Sequence, residues 1–213
     1  MKKVLVVNGS LGGTDGNTAK FLEVATEILS KRVQVENYCL GKTGKSRAAL
    51  ILSLDASDGI LLSSGNYWSN YSSFIQAFIE TISELEGTSS LLGKPIAFLL
   101  SQHSFGGSDV VARLANIFNN LGCSLPPQSS IVLSMTSQLA LECDPKQADI
   151  WQPSDLEIML HNLVEAVEGT NQWKAFEVDR THVHDLWVKL PKKDPPDLPE
   201  KDPPDLPEKD PPA

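Results

Sequence analysis

The segment VLVVNGSLGGTDGNTAKFL, residues 4–22, runs from an unbroken apolar tetrapeptide into a loop of glycine, hydroxyl and amide residues, and then into a helix-period stretch. Four consecutive apolar residues leave no polar face for water, so they read as a strand covered on both sides, as strands of parallel sheets are. Thr18, Leu22, Ala25 and Leu29 then recur every three or four residues, which places them on one face of a helix. Strand, glycine-rich turn and helix form the opening unit of a doubly wound α/β domain.

The rest of the chain repeats that unit. Residues 33–40 alternate well enough for a second strand, and residues 47–56 read as a short helix. A third strand at 60–63 precedes a helix with Phe74, Ile75, Phe78, Ile79 and Ile82 on one face. Gly93-Lys94-Pro95 turns into a fourth strand at 96–100, and Val110, Val111, Leu114, Ala115 and Phe118 mark the next helix. A fifth strand is expected at 131–135. Ser154 and Glu157 have capping-box spacing ahead of a last helix that turns Leu156, Met159, Leu160, Leu163 and Val167 inward. Five strands alternating with five helices predict a doubly wound parallel sheet, order 2-1-3-4-5, with helices on both faces. Its ligands would gather at the carboxyl ends of strands 1 and 3.

A net charge of -9 argues against nucleic acid as a partner, because phosphate backbones select for excess Lys and Arg. From residue 193 onward three lysines face seven carboxylates, so that end supplies -4 of the charge. Cys39, Cys123 and Cys143 are far apart with no CxxC pair, which excludes a zinc ribbon or a cysteine-held iron–sulfur cluster. Only four apolar residues follow Met1-Lys2-Lys3 before the chain turns polar, too few for a secretory core, and no stretch approaches a membrane span. A cytoplasmic protein with no membrane partner is expected. The domain is expected to cover residues 1–169, followed by an extension at 170–192 whose tryptophans could pack on the domain or on a second subunit. Residues 193–213 repeat KDPPDLPE and hold eight of the fourteen prolines, the composition of a disordered, polyproline-like tail.

Three loops carry the candidate chemistry. The first, residues 9–18, has no Lys or Arg, so a phosphate there would be held by backbone N–H groups, the helix N-terminus and the hydroxyls of Ser10 and Thr18. It lacks the glycines two apart that GxGxxG requires. CLGKTGKS at 39–46 resembles a nucleotide P-loop, but Cys39 stands where the first glycine must turn, and a basic surface loop is the better reading of 42–47. The second loop, beginning at Ser63, sets Tyr67 and Trp68 at a strand end, where aromatic rings can border a flat ligand. The third, residues 101–108, offers backbone donors, the Gln102 amide and His103, which is equally readable as a solvated loop histidine.

NGSLGGTDGNTAKFL, SDGILLSSGNYWSNYSSFIQAFIE and GKPIAFLLSQHSFGG together resemble, in order and spacing, the NAD(P)H-dependent FMN reductases of the flavodoxin-like superfamily, over about residues 2–168. The resemblance implies FMN as cofactor, NAD(P)H as co-substrate, and hydride passing from nicotinamide to flavin and then to a quinone, flavin or nitroaromatic acceptor. It implies that Ser10, Gly16, Asn17 and Thr18 hold the phosphate, that Asn66, Tyr67 and Trp68 border the ring, and that Ser101, Gln102, His103, Gly106 and Gly107 meet its polar edge. No residue is nominated as catalytic, since the hydride chemistry belongs to the cofactor. A homodimer or homotetramer is implied as well. The chain departs from the family's pattern at Gly65, where a proline is usual, and at Gly12, where a basic residue is usual. A flavodoxin-type carrier and a flavin-free binding protein are the alternatives. Deleting residues 193–213 is expected to shift the melting temperature by less than about 1 °C, since the repeat has almost nothing to bury; a differential scanning measurement on the shortened chain checks this.

Overall fold

Residues 1–41, 46–143 and 151–170, together with Gln172 and Lys174, are described by the computed structural model. The expectations for the extension beyond Lys174, for the repeat tail and for the basic loop at 42–45 lie outside the described residues. Five strands form the sheet: β1 (Lys3–Asn8), β2 (Gln34–Cys39), β3 (Gly59–Gly65), β4 (Ile96–Gln102) and β5 (Ser130–Ser134). They are all parallel and lie in the order β2-β1-β3-β4-β5, as expected. Val7 sits opposite Tyr38 on one side and Leu62 on the other, and Leu62 in turn faces Phe98.

The unbroken apolar strands are explained by two separate cores. Leu5, Val7, Ile60, Leu62, Phe98 and Leu100 point to one face, under helices α2 (Arg47–Asp55), α3 (Ser73–Ile82) and α4 (Gly107–Asn120). There Phe118 packs on Phe98 and Phe78, with ring centroids 5.9 and 6.2 Å apart. Val4, Val6, Leu61, Ala97 and Leu99 point the other way, under α1 (Asn17–Ser30) and the last helix, α6 (Leu156–Glu168). Each of these side chains is essentially excluded from water and stabilises the fold by roughly 1.5–3 kcal/mol for a Leu- or Phe-sized group.

Three expectations need correction. A sixth helix, α5 (Met135–Cys143), starts where the fifth strand was expected to end, so Met135 is helical and β5 stops at Ser134. None of its residues is buried, which is why no apolar periodicity announced it. The third strand continues to Gly65, because Ser63 and Ser64 are fully buried in the sheet despite their hydroxyls. Ser63 Oγ donates to Val7 O and Ser64 Oγ to Gly65 O, which satisfies both hydroxyls. Before α6 the reciprocal capping pair is Gln152 and Asp155 rather than Ser154 and Glu157. The Asp155 carboxylate accepts from Gln152 N at 2.8 Å, and Pro153 takes a first-turn position where no N–H is needed. Ser46, the last residue of the P-loop-like run, accepts from Ala49 N at 3.2 Å and caps α2.

The polar side of α6 reaches past residue 169. Asn162 is fully buried; its amide donates to Pro127 O and Lys174 O and accepts from Lys174 N, at 2.8–2.9 Å. Glu165 is also buried, accepting from the Thr170 hydroxyl and from Gln172 N, and pairing with Arg32 at 2.8 Å. These donors, the Thr170 hydroxyl foremost, hold its carboxyl down at about 2 against desolvation. A depressed carboxyl stabilises the fold above its unfolded value near 4.5 and loses that contribution as pH falls toward 2. Glu165→Gln is therefore expected to cost about 1–3 kcal/mol at pH 7, the worth of hydrogen bonds to a charged group. It should also flatten the decline of thermal stability between pH 4.5 and 2, measured by circular dichroism melts across that range.

Candidate functional site

At the carboxyl end of the sheet, the loops after β1, β3 and β4 and the start of α5 enclose a cleft of about 630 Å³. Nine of the twelve residues expected at a site line it: Ser10, Gly16, Asn17, Thr18, Asn66, Tyr67, Ser101, Gln102 and His103. A cavity of similar size, about 590 Å³, opens at the other end around Lys94 and Pro127. That one has neither a helix N-terminus nor strand carboxyl ends facing it, so the chemistry argues for the first.

Asn8, the last residue of β1, shapes the loop that follows. Its Oδ1 accepts from both Ser10 N and Ser10 Oγ, at 3.0 and 2.8 Å, and its Nδ2 donates to Gly13 O at 2.8 Å. The loop is thereby folded so tightly that a Cβ on Gly12 would stand 2.8 Å from Gly16 Cα. Gly12 therefore has no room for the basic side chain usual in the resembling family. α1 then begins with Gly16 as its N-cap, with no side chain capping the turn. Ala19 N donates to Gly16 O at 3.0 Å, and the N–H groups of Asn17 and Thr18 ahead of it are left for water or a ligand at the positive end of the helix dipole.

The three loops are cross-linked. Thr18 Oγ1 and Ser101 Oγ are 2.7 Å apart, tying the first loop to the third. Asn66 N donates to Ser101 O at 2.8 Å, and Asn66 Nδ2 donates to Phe105 O at 2.5 Å, tying the second to the third. That second bond fixes which amide atom is the oxygen. Asn66 Oδ1 is buried and without a hydrogen-bond partner, an unsatisfied acceptor in a residue of the cleft wall. Tyr67 reaches the first loop, its hydroxyl accepting from Leu11 N at 2.8 Å.

Some expected residues serve the scaffold. Gln102 Oε1 accepts from Gly107 N at 2.7 Å and its Nε2 donates to Ser104 O at 3.1 Å, so this amide shapes its own loop. Gly106 adopts a φ of 91° as the N-cap of α4, and Gly107 is buried at the start of that helix; neither lines the cleft. His103 is exposed, and its carbonyl accepts from Thr136 N at 3.0 Å. Trp68 lies outside the cleft, wholly in solvent at the tip of a turn closed by Tyr67 N to Asn70 O and Asn70 N to Tyr67 O. Trp68 and Ser69 both have positive φ, 53° and 58°, and Arg113 holds the turn through Asn70 Oδ1 and Ser69 O. Together these describe a type I′ turn made without glycine.

Lys20 and Asn8 were not singled out from the sequence. Lys20 follows Asn17 by three positions, which brings it over the face of the α1 N-terminus, and it is the one Lys or Arg on the cleft wall among the described residues. Among the described residues no carboxylate lines the cleft. Helical spacing from Asn17 would have found Lys20; Asn8 was hidden as the polar terminus of an apolar strand.

No curated protein sequence matches the chain. Among solved structures, RosB with bound 8-demethyl-8-formylriboflavin-5'-phosphate superposes with a TM-score of 0.65 at 13% identity, covering 85% of this chain and 92% of that one. An NADH:FMN oxidoreductase in its apo form gives 0.58 at 16% identity, covering 83% and 92%. A flavodoxin from the domain Archaea gives 0.56 at 16% identity, covering 79% and 99%. At such identities these likenesses establish the flavodoxin-like fold. A family model, NADPH-dependent FMN reductase, matches residues 2–138, from β1 into α5. With all three loops of the cleft inside that match, the chain belongs to the NADPH-dependent FMN reductase family of flavin-dependent oxidoreductases, whose cofactor is FMN and whose co-substrate is NAD(P)H.

Proposed function

We propose that this chain binds FMN in the cleft at the carboxyl end of its sheet, oxidises NADH or NADPH, and delivers the electrons to a small acceptor such as a quinone, a free flavin or a nitroaromatic. One observation carries the reading: an uncapped helix N-terminus, a lysine and Asn66, whose buried amide oxygen is unpaired, meet at one cleft on which no carboxylate of the described residues stands. Those groups fit FMN. The monoester phosphate needs N–H donors and positive charge, and the isoalloxazine edge carries an N–H donor for an open acceptor.

In this reading Ser10, Gly16, Asn17 and Thr18 hold the phosphate, with Lys20 supplying the charge that the loop itself lacks. Asn66 and Tyr67 border the ring, and Asn66 Oδ1 accepts from its polar edge. Ser101, Gln102, His103, Gly106 and Gly107 form or brace the wall at that edge, and oriented N–H groups there would stabilise charge on the reduced ring. Bound FMN supplies the acceptance of a hydride and its onward release; the protein orients the ring and leaves one face open. Trp68 stands on the rim, where an arriving nicotinamide or a second subunit would meet it. Exposed Leu11, Trp68, Phe105, Met135 and Leu139 make this end unusually apolar, which supports a homodimer or homotetramer paired around the cleft.

Two measurements test the reading. Lys20→Met is expected to weaken FMN about two- to fivefold while leaving riboflavin binding unchanged, read by quenching of flavin fluorescence; the range is that of one exposed charge contact. Anaerobic mixing of the FMN-bound protein with excess NADPH or NADH is expected to bleach the flavin band within minutes. Bleaching by dithionite alone would replace the reductase with a flavodoxin-type carrier.

A further inference from the structure

The hydroxyl of Tyr67 makes a contact that a place beside a flavin ring does not account for. Its hydroxyl accepts the N–H of Leu11, a residue 56 positions away, in the loop that the preceding reading assigns to the phosphate. Leu11 lies between Ser10 and Gly12, both on the cleft wall. A backbone N–H in such a loop is a donor that an anionic ligand would use, and here a neutral phenol oxygen already occupies it.

The surroundings make this contact a built one. The phenol folds back over the end of β3, where a Cβ on residue 65 would lie 2.8 Å from Tyr67 Oη and 2.9 Å from Cζ. Only glycine leaves that path open, which accounts for Gly65 where the family usually has proline. The Tyr67 backbone is fixed from behind by the two bonds to Asn70, and Arg113 of α4 clamps the same turn at Asn70 and Ser69. The ring therefore starts from a rigid base and reaches across the cleft.

We infer that Tyr67 is an internal competitor of the ligand's phosphate: its hydroxyl takes the Leu11 N–H in the empty protein and gives it up when a phosphate-bearing ligand enters. The exchange favours the phosphate, since hydrogen bonds to a charged oxygen are about twice as strong as those to a neutral one. The phenol lowers affinity by the worth of the bond it surrenders. It holds the loop N–H satisfied in the meantime, so the empty site does not need its ligand to keep its shape. The effect falls on ligands that carry the phosphate and spares those that lack it. Tyr67 would thus reduce the protein's discrimination of FMN from riboflavin and ease the cofactor's release.

This inference rests on the FMN reading, and the experiment separates the two. FMN and riboflavin are titrated into the full wild-type chain and into Tyr67→Phe, which keeps the ring and removes the oxygen. The variant is expected to bind FMN about three- to tenfold more tightly, the range of one neutral hydrogen bond, and riboflavin within twofold of wild type. Equal or weaker FMN binding by Tyr67→Phe, with wild type binding normally, would overturn the competitor and leave the FMN site standing. If neither folded protein quenches FMN, the FMN reading falls and the competitor with it. Amide hydrogen exchange at Leu11 gives a readout independent of affinity. Protection is expected in empty wild type, its loss in empty Tyr67→Phe, and its return in the variant on adding FMN. Leu11 still exchanging fast in the FMN-bound variant would show that the ligand does not use this N–H, and would refute the exchange.

Discussion

A parallel sheet covered on both faces has no exposed surface on which to do chemistry. The side chains of the central strands β1, β3 and β4 are divided almost wholly between two dry cores, and their backbone groups are spent on the strands to either side. Polar function is thereby driven to the strand ends, and at the carboxyl ends of β1, β3 and β4 the chain leaves the sheet through loops that it must shape with side chains. Asn8, Asn66 and Gln102 are those shaping groups, each an amide at or just past a strand end, and each bonded to loop backbone. An amide suits this task because it donates and accepts at once.

What could be read in the sequence and what could not divides along distance in the chain. The strands, the glycine loop and the helices with buried stripes are local patterns, and they appear where expected apart from the ends of β3 and β5. The contacts that turn three loops into one cleft join Thr18 to Ser101, Tyr67 to Leu11 and Asn66 to Phe105, across 83, 56 and 39 positions. No local pattern encodes them. α5 escaped for a different reason: a helix with no buried residue has no stripe to detect. Trp68 stands outside the cleft because the turn it belongs to, made of residues that seldom adopt positive φ, carries the indole into solvent, which no local pattern announces.

The electrostatics of the cleft differ from those of the chain as a whole. In a protein with a net charge of -9, the described residues put no carboxylate on this wall and set one lysine and a helix N-terminus there. The loop lacks room for its own cation because Gly12 and Gly16 touch, so the charge comes from the next turn of helix. Placing the charge on a helix, whose backbone is fixed, substitutes a rigid scaffold for a flexible loop.

The buried amide of Asn162 bears on how this domain could be exchanged between genes. The family match ends at residue 138, yet α6 packs into one of the two cores, and its Asn162 and Glu165 find several of their partners between Thr170 and Lys174, besides Pro127 and Arg32. A recombination that carried only the matched segment would transplant the cleft loops onto a sheet with one face stripped. One that stopped just after α6 would leave Asn162 with only its bond to Pro127 O and Glu165 with only its pairing to the His161 and Arg32 side chains, two buried groups short of the donors and acceptors they now use. The piece that can be inherited whole runs to at least Lys174, about a quarter longer than the motif-bearing part by which the family is known.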